Sequence, residues 1–260
     1  LPTNSMATKM KHSIVFAVAF LSCFSAAPAQ RPLTFVSWNV ENVFDTIHDA
    51  GKNDYDFLPE GVRHWTTSRY WRKLRDIART IASASDKGLP DIIALCEVEN
   101  DSCMRDLTSR TMLYNAGYRY VMTSSGDARG VDVALVYQPS RFRLLSHECF
   151  VVEKPDPSMS STRDILYVKG LVNVFDGVLT GGAPQTDTLH VFVVHLPSRL
   201  GGRKAKQLRQ HAARQLWQYV DSIFGQAGDN ASIVVMGDFN TTASDRIFSN
   251  PSLQIGRAHV

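Results

Sequence analysis

The 260-residue sequence lacks the features that define several protein classes. It holds only four cysteines, no CxxC motif and no cluster of histidine with cysteine, which excludes a disulfide-built miniprotein and argues against a structural zinc site. Its 16 glycines and 11 prolines are scattered singly and no segment repeats, which excludes collagen, low-complexity chains and solenoids. With 44% hydrophobic and 20% charged residues, the sequence predicts a globular chain with one domain.

The sequence also lacks a large net charge. It carries 28 basic and 25 acidic residues, for a formal charge of +3. The first 29 residues contain Lys9 and Lys11 and no acid, so without them 26 basic residues stand against 25 acidic ones. A nearly neutral chain argues against indiscriminate electrostatic binding to nucleic acid, although it leaves room for a local basic cluster.

The N-terminal segment from residue 6 to residue 29 is typical of a secretory signal peptide. Two lysines precede an apolar run from Ile14 to Phe24, and Ala27-Pro28-Ala29 fits the small-x-small pattern of a cleavage site. The run is well short of the roughly 20 residues that a membrane-spanning helix needs, which disfavours the alternative of a membrane anchor. We therefore expect a mature chain that begins at Gln30 and is secreted or periplasmic.

The last six residues are expected to be foreign to the natural protein. Residues 255–260 read Ile-Gly-Arg-Ala-His-Val and resemble the translation of a sequencing-library adapter, so we expect them to be a non-native tail. A natural polar tail is the alternative. The domain is then expected to occupy residues 30–254 and to be incomplete at its C-terminal end.

Loss of Cys23 with the signal peptide would leave Cys96, Cys103 and Cys149, an odd number of thiols for an oxidising compartment. Cys96 follows an apolar run, which predicts a buried thiol that packs as a small hydrophobe. A disulfide between Cys96 and Cys103 stays open as an alternative.

Short apolar runs alternate with amphipathic segments along the chain. Leu33–Trp38 and Asp91–Glu97 are typical of strands, whereas residues 69–85 and 203–224 place their apolar side chains on one helical face. Many strands joined by short links, with few long helices, predict a mixed-sheet α/β sandwich rather than a strictly alternating parallel fold.

Four apolar runs predict strands that become polar at their C-terminal tips, which is where α/β sheets bind ligands. These segments are Leu33–Glu41, Asp91–Glu97, Leu189–His195 and Ile233–Asn240. Two tips carry polar residues two positions apart, and this spacing in an extended chain predicts that both side chains point to the same side. These pairs are Asn39 with Glu41 and Asp238 with Asn240. The four tips together supply three carboxylates, two amides and one imidazole: Glu41, Glu97, Asp238, Asn39, Asn240 and His195.

Such a set of side chains fits a hard divalent cation beside a phosphate, because carboxylate oxygens bind Mg²⁺ and a histidine or aspartate moves protons. Carboxylates gathered without a cation would repel one another. Each residue alone would fit a helix cap, a turn or a buried histidine equally well. Four polar tips in one chain favour a phosphate and metal site over this structural alternative.

Five segments carry these residues in a fixed order: SWNVEN (37–42), ALCEVEN (94–100), RDILYV (163–168), VVHLPSR (193–199) and MGDFN (236–240). In this order they resemble the endonuclease/exonuclease/phosphatase superfamily, which includes pancreatic deoxyribonuclease, apurinic endonucleases, bacterial sphingomyelinases and inositol polyphosphate phosphatases. The resemblance covers roughly residues 33–245. The HLPSRLGG segment (195–202) is most similar to that of secreted bacterial members.

The resemblance implies a metal and water site. Glu97 would be the main metal ligand, with Asn39 assisting and Glu41 as a second ligand. Asp238 and Asn240 would position or deprotonate the attacking water and contact the phosphate.

The resemblance also implies a phosphate site. His195 would act as an acid or base or stabilise the transition state, and Arg163 would bind the phosphate through its planar guanidinium. Arg199 has no family match: it could reach a phosphate, or it could lie on a solvated surface.

The implied fold is a four-layer α/β sandwich of two mixed β-sheets flanked by helices, with the last strands and the closing Asp-His pair of the family missing. The implied function is a secreted phosphoesterase that uses Mg²⁺, or Mn²⁺ or Ca²⁺, to hydrolyse a phosphodiester or a phosphomonoester, for example as an endonuclease. A phospholipid hydrolase of the sphingomyelinase type and a non-catalytic phosphate-binding protein of the same fold are the alternatives. The expected partner is nucleic acid, phospholipid or a small phosphoester, bound by a monomer that needs no protein partner.

Overall fold

The computed structural model describes residues 32–248 apart from Lys87, residues 175–184, residues 228–230 and Ala243. The expected signal peptide at 6–29 and the expected non-native tail at 255–260 lie outside the described residues. The described residues all belong to one compact unit. No helix within them combines the length and the apolar character that crossing a bilayer requires.

The first sheet is mixed and has the strand order β1-β2-β4-β3. Its strands are β1 (Phe35–Val43), β2 (Ile92–Val98), β3 (Arg119–Met122) and β4 (Asp132–Tyr137). β1 and β2 run parallel, while β4 lies antiparallel to both β2 and β3. β1 continues five residues beyond the predicted strand end at Trp38, so the whole polar tip of that segment belongs to the strand.

The second sheet has the order β5-β6-β7-β8. Its strands are β5 (Phe142–Phe150), β6 (Ile165–Val174), β7 (Gln185–His195) and β8 (Ser232–Asp238). β5, β6 and β7 pair antiparallel, and β7 pairs parallel with β8. Gly170 of β6 lies under the ring of Phe142, where an added Cβ would come within 2.2 Å of a ring carbon, so this pairing depends on a glycine.

In the described part of the chain, three α-helices cover the sheets: α1 (Thr67–Ser83), α2 (Asp101–Ser109) and α3 (Gly202–Ala227). Short 3₁₀ helices lie at Tyr55–Phe57, Met112–Ala116, Arg199–Gly201 and Arg246–Phe248. The helical periodicity predicted for residues 69–85 and 203–224 is confirmed by α1 and α3. The side chain of Asn100 accepts a hydrogen bond from the Cys103 backbone N–H and so caps the start of α2.

Three apolar cores separate these elements into four layers. α1 and α2 pack on the outer face of the first sheet, and α3 packs on the outer face of the second. The central core lies between the two sheets and includes Ala94, Cys96, Val168 and Val193. Burying each large apolar side chain contributes about 1.5–3 kcal/mol, so the sandwich is stabilised chiefly by these three interfaces. The prediction of a four-layer α/β sandwich of two mixed sheets is confirmed.

All three cysteines of the described chain are free thiols. Cys96 is fully buried between the sheets, where its Sγ donates to the Val194 carbonyl oxygen at 3.4 Å, and burial raises its pKa to about 12. It therefore behaves as the small hydrophobe that its apolar surroundings predict. The alternative of a disulfide between Cys96 and Cys103 is wrong.

Candidate active site

The polar strand tips meet at one end of the sandwich, because the parallel pairs β1 with β2 and β7 with β8 end at the same edge. A cleft of about 720 Å³ opens there. It is lined by residues of both sheets, including five of those predicted from the tips: Asn39, Glu97, His195, Asp238 and Asn240.

A bulge in β2 directs Glu97 into this cleft. The pairing of β2 with β4 shifts register between Cys96 and Val98, and Glu97 has a φ of 67°. A left-handed backbone is unfavourable for a residue with a side chain, and such bulges re-aim side chains beside active sites. The strained backbone at Glu97 thus places its carboxylate in the cleft, where the regular alternation of side chains along a strand would not direct it.

β8 ends in a second backbone feature that positions Asp238. Gly237 has a φ of 119°, and an added Cβ there would lie 1.9 Å from the Val194 carbonyl oxygen. Only glycine allows β8 to approach β7 so closely at this point. The next residues hold Asp238 through a hydrogen bond from the Asn240 backbone N–H to Oδ1 at 2.8 Å.

An amide connects the two sheets across the cleft. Asn39 Nδ2 on β1 donates to Asp238 Oδ2 at 3.1 Å, and Asn39 Oδ1 accepts from the Glu41 backbone N–H at 2.9 Å. Asn240 Nδ2 donates to the Leu196 carbonyl oxygen at 2.9 Å. These bonds fix the orientation of both amides, and Asp238 remains 31% exposed in the cleft lining.

His195 lies between the two acids. Its Nε2 is 3.6 Å from Glu97 Oε1 and 3.9 Å from Asp238 Oδ2, and its Nδ1 is buried without a hydrogen-bond partner in the described chain. Burial, and then the charges of Arg163 and Arg129, lower the pKa of His195 to about 2. The imidazole is therefore neutral at neutral pH, so it adds no positive charge between the two carboxylates.

This arrangement of strand tips can be compared with known proteins. Residues 34–255 match the family described as the Endonuclease/Exonuclease/phosphatase family. The chain belongs to the endonuclease/exonuclease/phosphatase family. The resemblance inferred from the five sequence segments is confirmed, and with it a phosphoesterase fold.

Solved structures support the same fold for this family member. The match covers 84% of this chain in three cases. A humanized TDP2 of D. rerio is 18% identical with a TM-score of 0.52 over 70% of its chain. The human nocturnin catalytic domain is 18% identical with a TM-score of 0.50 over 68% of its chain. A mannosyl-6-phosphatase of Bacteroides thetaiotaomicron is 16% identical with a TM-score of 0.52 over 69% of its chain. At these identities the similarity concerns the fold alone. Comparison with curated protein sequences gives no significant match.

Arg163 lines the cleft of this family protein, but its hydrogen bonds point into the protein. Its Nε donates to the His195 carbonyl oxygen at 3.1 Å and its Nη2 donates to the Leu196 carbonyl oxygen at 2.9 Å. Its Nη1 donates to Asp127 Oδ2 at 3.2 Å. The side chain is 7% exposed. Arg163 therefore holds the end of β7. A phosphate bound by Arg163, as the resemblance implies, would have to share the N–H donors that already bond to these protein oxygens.

Two predicted site residues lie outside the cleft lining. Glu41 is exposed and lines a different pocket beside α1. The expectation that Asn39 and Glu41 point to the same side is wrong, because the pairing of β1 with β2 shifts after Asn39 and both Glu41 and Asn42 have a positive φ. Arg199 lies exposed on its 3₁₀ helix, whose neighbouring residues Ser198 and Leu200 line the cleft instead.

The cleft also contains cations that the sequence patterns missed. Arg129 comes from the loop between β3 and β4, and its Nε lies 3.6 Å from Asp127 Oδ1. Lys204 comes from the first turn of α3. No motif surrounds Arg129. Lys204 belongs to a helix start rich in basic residues, a pattern that favours a solvated face over a binding patch. Both reach the cleft through tertiary packing.

A second acidic cluster lies near the tip of β2. Asp45, Glu99 and Cys103 place potential metal-ligand atoms within 4.8 Å of one another. Glu99 Oε2 accepts from the Asp45 backbone N–H at 2.7 Å and contacts the Cys103 thiol at 3.9 Å. Burial, and then the charge of Asp45, raise the pKa of Glu99 to about 8. A protonated Glu99 relieves the repulsion in this cluster without an ion.

Proposed function

We propose that the chain is a divalent-metal-dependent hydrolase of phosphoesters. The observation that carries this proposal is that Glu97 and Asp238, from different sheets, both lie within 4 Å of the same neutral imidazole nitrogen in an open cleft. Two carboxylates beside a neutral histidine leave negative charge that an added cation would balance. Family membership supports hydrolysis of a phosphoester as the reaction.

The residues of the cleft fit a metal of the Mg²⁺ type. Glu97 and Asp238 offer carboxylate oxygens and Asn39 offers an amide oxygen, and hard divalent cations prefer such ligands. Glu97 accepts no hydrogen bond within the described chain, and its side chain is 13% exposed, so its oxygens are available from the cleft. Mg²⁺, Mn²⁺ or Ca²⁺ would be held by these residues and would supply charge stabilisation to the phosphate when bound.

The protein groups that would move protons are Asp238 and His195. Asp238 is held at Oδ1 and Oδ2 by Asn240 and Asn39 and is 31% exposed, so it can accept a proton from a water in the cleft. The neutral His195 can donate an Nε2–H toward an oxygen on which charge develops. Asn240 uses one amide hydrogen on Leu196 and keeps the other for the phosphate.

Phosphate binding would fall to the accessible cations. The Arg129 side chain is 48% exposed and faces the cleft with part of its planar fork unused. Lys204 approaches from α3. One guanidinium group can bind two oxygens of the same phosphate, which favours Arg129 as the cation that orients the phosphate. The buried Arg163 would then have a supporting role.

Assay of the purified chain with bis(p-nitrophenyl) phosphate and p-nitrophenyl phosphate tests the proposal. After treatment with EDTA, we expect no turnover until Mg²⁺, Mn²⁺ or Ca²⁺ is restored. Turnover that persists without any divalent ion would refute metal dependence. Phosphate binding by a folded chain that has no turnover with any of the three ions would favour the non-catalytic alternative.

We further propose that the protein is secreted or periplasmic, on the pattern of residues 6–29. Expression in a bacterial host, followed by mass measurement of the exported protein, tests this. A mature N-terminus at Gln30 is expected, and retention of the intact N-terminus in the cytoplasm would contradict it.

A further inference from the structure

A second pocket, of about 680 Å³, lies beside the cleft. One wall is formed by Glu41 and Asn42 near the end of β1. The other wall comes from the loop before α1 and from the first turns of α1. We call it the basic pocket, after the four cations that line it together with two aromatic rings: Arg63, Arg69, Arg72, Lys73, Phe57 and Trp65.

The basic pocket and the cleft share a stretch of backbone. Asn39 lines the cleft and Glu41, two residues further on, lines the basic pocket. Two residues of chain span at most about 7 Å, and the Glu41 N–H donates to the Asn39 side chain. Because a nucleic-acid strand advances about 3.4 Å per nucleotide along a helix axis, a strand held in the cleft would reach the basic pocket within a few nucleotides.

The charge of the basic pocket is only partly balanced by the protein. Six other arginines of the described chain form ion pairs with aspartates: Arg79, Arg105, Arg110, Arg129, Arg141 and Arg163. None of the four basic-pocket cations lies in such a pair among the described residues. Asp76 lines the same pocket but pairs with Arg79 at 3.4 Å. Glu41 is the other acid of the lining and lies in no ion pair among the described residues, so the four cations face one unpaired carboxylate. The excess positive charge attracts an anion.

Two of the four cations are held in place by backbone carbonyls. Arg69 donates to the carbonyl oxygens of Arg63 and His64, and Lys73 Nζ donates to the Glu41 carbonyl oxygen at 3.2 Å. Arg72 has no hydrogen bond or ion pair with any described residue. A partly ordered set of cations with unused donors can bind a phosphate without first breaking an internal ion pair.

Aromatic rings complete the basic pocket. Phe57 stacks on Phe44 with centroids 4.0 Å apart, and the guanidinium carbon of Arg63 lies 4.7 Å from the Phe57 centroid. Trp65 meets Phe57 edge-on at 5.9 Å, and its indole N–H donates to the Phe44 carbonyl oxygen at 2.8 Å. Phe44 and Arg63 thus cover the two faces of the Phe57 ring, and the plane left for a base is the Arg63 guanidinium. Cations that track phosphates beside such a stacking plane are a combination that binds single-stranded nucleic acid.

We propose that the basic pocket is a second phosphate and base subsite for a single strand of nucleic acid whose reacting phosphate lies in the cleft. This rests on the proposed function of the cleft, and it selects nucleic acid over a small phosphoester or a phospholipid as the substrate class. Arg72 is the residue that contacts the second phosphate, and Arg63 is the stacking plane.

Binding of a fluorescein-labelled single-stranded oligonucleotide tests the subsite without turnover, because EDTA is present throughout. We expect Arg72→Ala to weaken binding about tenfold and to reduce the slope of log Kd against log salt by about 1. Arg75→Ala is the matched control, since Arg75 lies on the same helix, carries the same charge and lies outside the pocket lining. Alanine favours a helix at either position, so both variants should fold, as circular dichroism would verify.

Two results would overturn the subsite. One is equal loss of oligonucleotide affinity in Arg72→Ala and Arg75→Ala, which would mean only a general charge effect. The other is an unchanged oligonucleotide affinity with reduced binding of Arg72→Ala to phosphatidylserine vesicles, which would assign the basic pocket to a membrane.

Hydrolysis of bis(p-nitrophenyl) phosphate separates this inference from the proposed function. We expect Arg72→Ala to match the parent on this small ester, since it occupies only the cleft, and to be about tenfold slower on subsaturating oligonucleotide. If the parent hydrolyses neither substrate while oligonucleotide binding still depends on Arg72, the proposed function fails and the subsite stands. If the small ester is cleaved and Arg72→Ala leaves oligonucleotide binding and cleavage unchanged, the subsite fails alone.

Discussion

Glu97 and Glu99 lie two residues apart near the tip of β2, yet they belong to two different acidic groups. Glu99 turns to the side of α2, where the Asp45 backbone N–H donates to it and where burial and nearby acids raise its pKa to about 8. Glu97 turns into the cleft, where it accepts no hydrogen bond from the described chain and faces a neutral imidazole at 3.6 Å. The Glu97 group and the Glu99 group are thus both clusters of acidic side chains.

The difference between the two groups lies in how the negative charge is treated. In the Glu99 group the protein removes the charge by protonation and satisfies the oxygens with its own donors. Asp164 is an intermediate case, because burial and then Asp132 raise its pKa only to about 6, so its carboxyl is protonated below about pH 6 and charged at neutral pH. In the cleft, Glu97 accepts no hydrogen bond from the described chain, and Asp238, whose oxygens accept from Asn39 and Asn240, stays 31% exposed. Acids that stay accessible in an open cleft, rather than clustered acids alone, indicate a site for a ligand.

Glu97→Gln is the strongest test of this comparison. Replacing a carboxylate that would hold the metal should cut turnover by at least about a hundredfold and raise the concentration of Mg²⁺ needed for half-maximal rate. Glu99→Gln, which keeps an acceptor for the Asp45 N–H, is the control and should retain near-parental turnover. Metal titrations of the rate measure both. An unchanged metal requirement in Glu97→Gln would remove Glu97 from the ligands.

Arg163→Ala should act mainly on stability. The change removes the donor to Asp127 Oδ2, although Arg129 still pairs with Asp127 Oδ1, and it removes one donor from each of two backbone carbonyls. Breaking a buried pair costs about 3–5 kcal/mol, which is the upper limit of the loss here. Urea denaturation followed by circular dichroism measures this loss. A variant as stable as the parent but with a raised KM would show that Arg163 serves the substrate rather than the end of β7.

Arg129→Ala is expected to produce the opposite pattern. Since Arg129 is half exposed, its loss should change the free energy of unfolding little, while KM for a phosphoester rises about tenfold. Steady-state kinetics with bis(p-nitrophenyl) phosphate separates KM from kcat. Unchanged kinetics would contradict a phosphate-binding role for Arg129.

Asp164→Asn is expected to have the smallest effect of these variants, and it tests whether a buried carboxyl of this chain is protonated. The folded-state pKa of Asp164 is raised to about 6 from 3.8. Between these two pH values the folded chain therefore binds a proton that the unfolded chain has released. Stability contributed by this group is therefore complete below about pH 4 and is lost as the pH rises to about 6. Asparagine removes that loss, so the melting temperature of the variant should rise relative to the parent between pH 4 and pH 7. A constant difference across this range would refute a raised pKa.

Much of the fold follows from local patterns in the sequence. Apolar runs and helical periodicity predicted the first part of β1, β2, α1 and α3, because burial of one face requires that spacing whatever the partner is. The polar tips predicted which strands end at the cleft, because parallel neighbours finish at the same edge of a sheet. These properties depend on residues close together in the chain.

The details of the site depended on contacts between distant segments. Alternation along a strand predicted a shared direction for Asn39 and Glu41, but the register shift and positive φ at Glu41 send it to the basic pocket. The motif predicted a phosphate-binding Arg163, but three partners 32 to 36 residues away occupy its guanidinium. Arg129 carries no motif and enters the cleft only because its loop folds over it.

The sequence by itself determined the layers of this protein, the family to which it belongs and the strand tips that meet at the cleft, because periodic burial and short motifs are encoded locally. Only the tertiary structure decided which carboxylate faces the cleft, which arginine stays accessible and where the unpaired cations gather. Those outcomes depend on bulges, on packing between the two sheets and on which donors are already satisfied, and each of these is set by residues far apart in the chain.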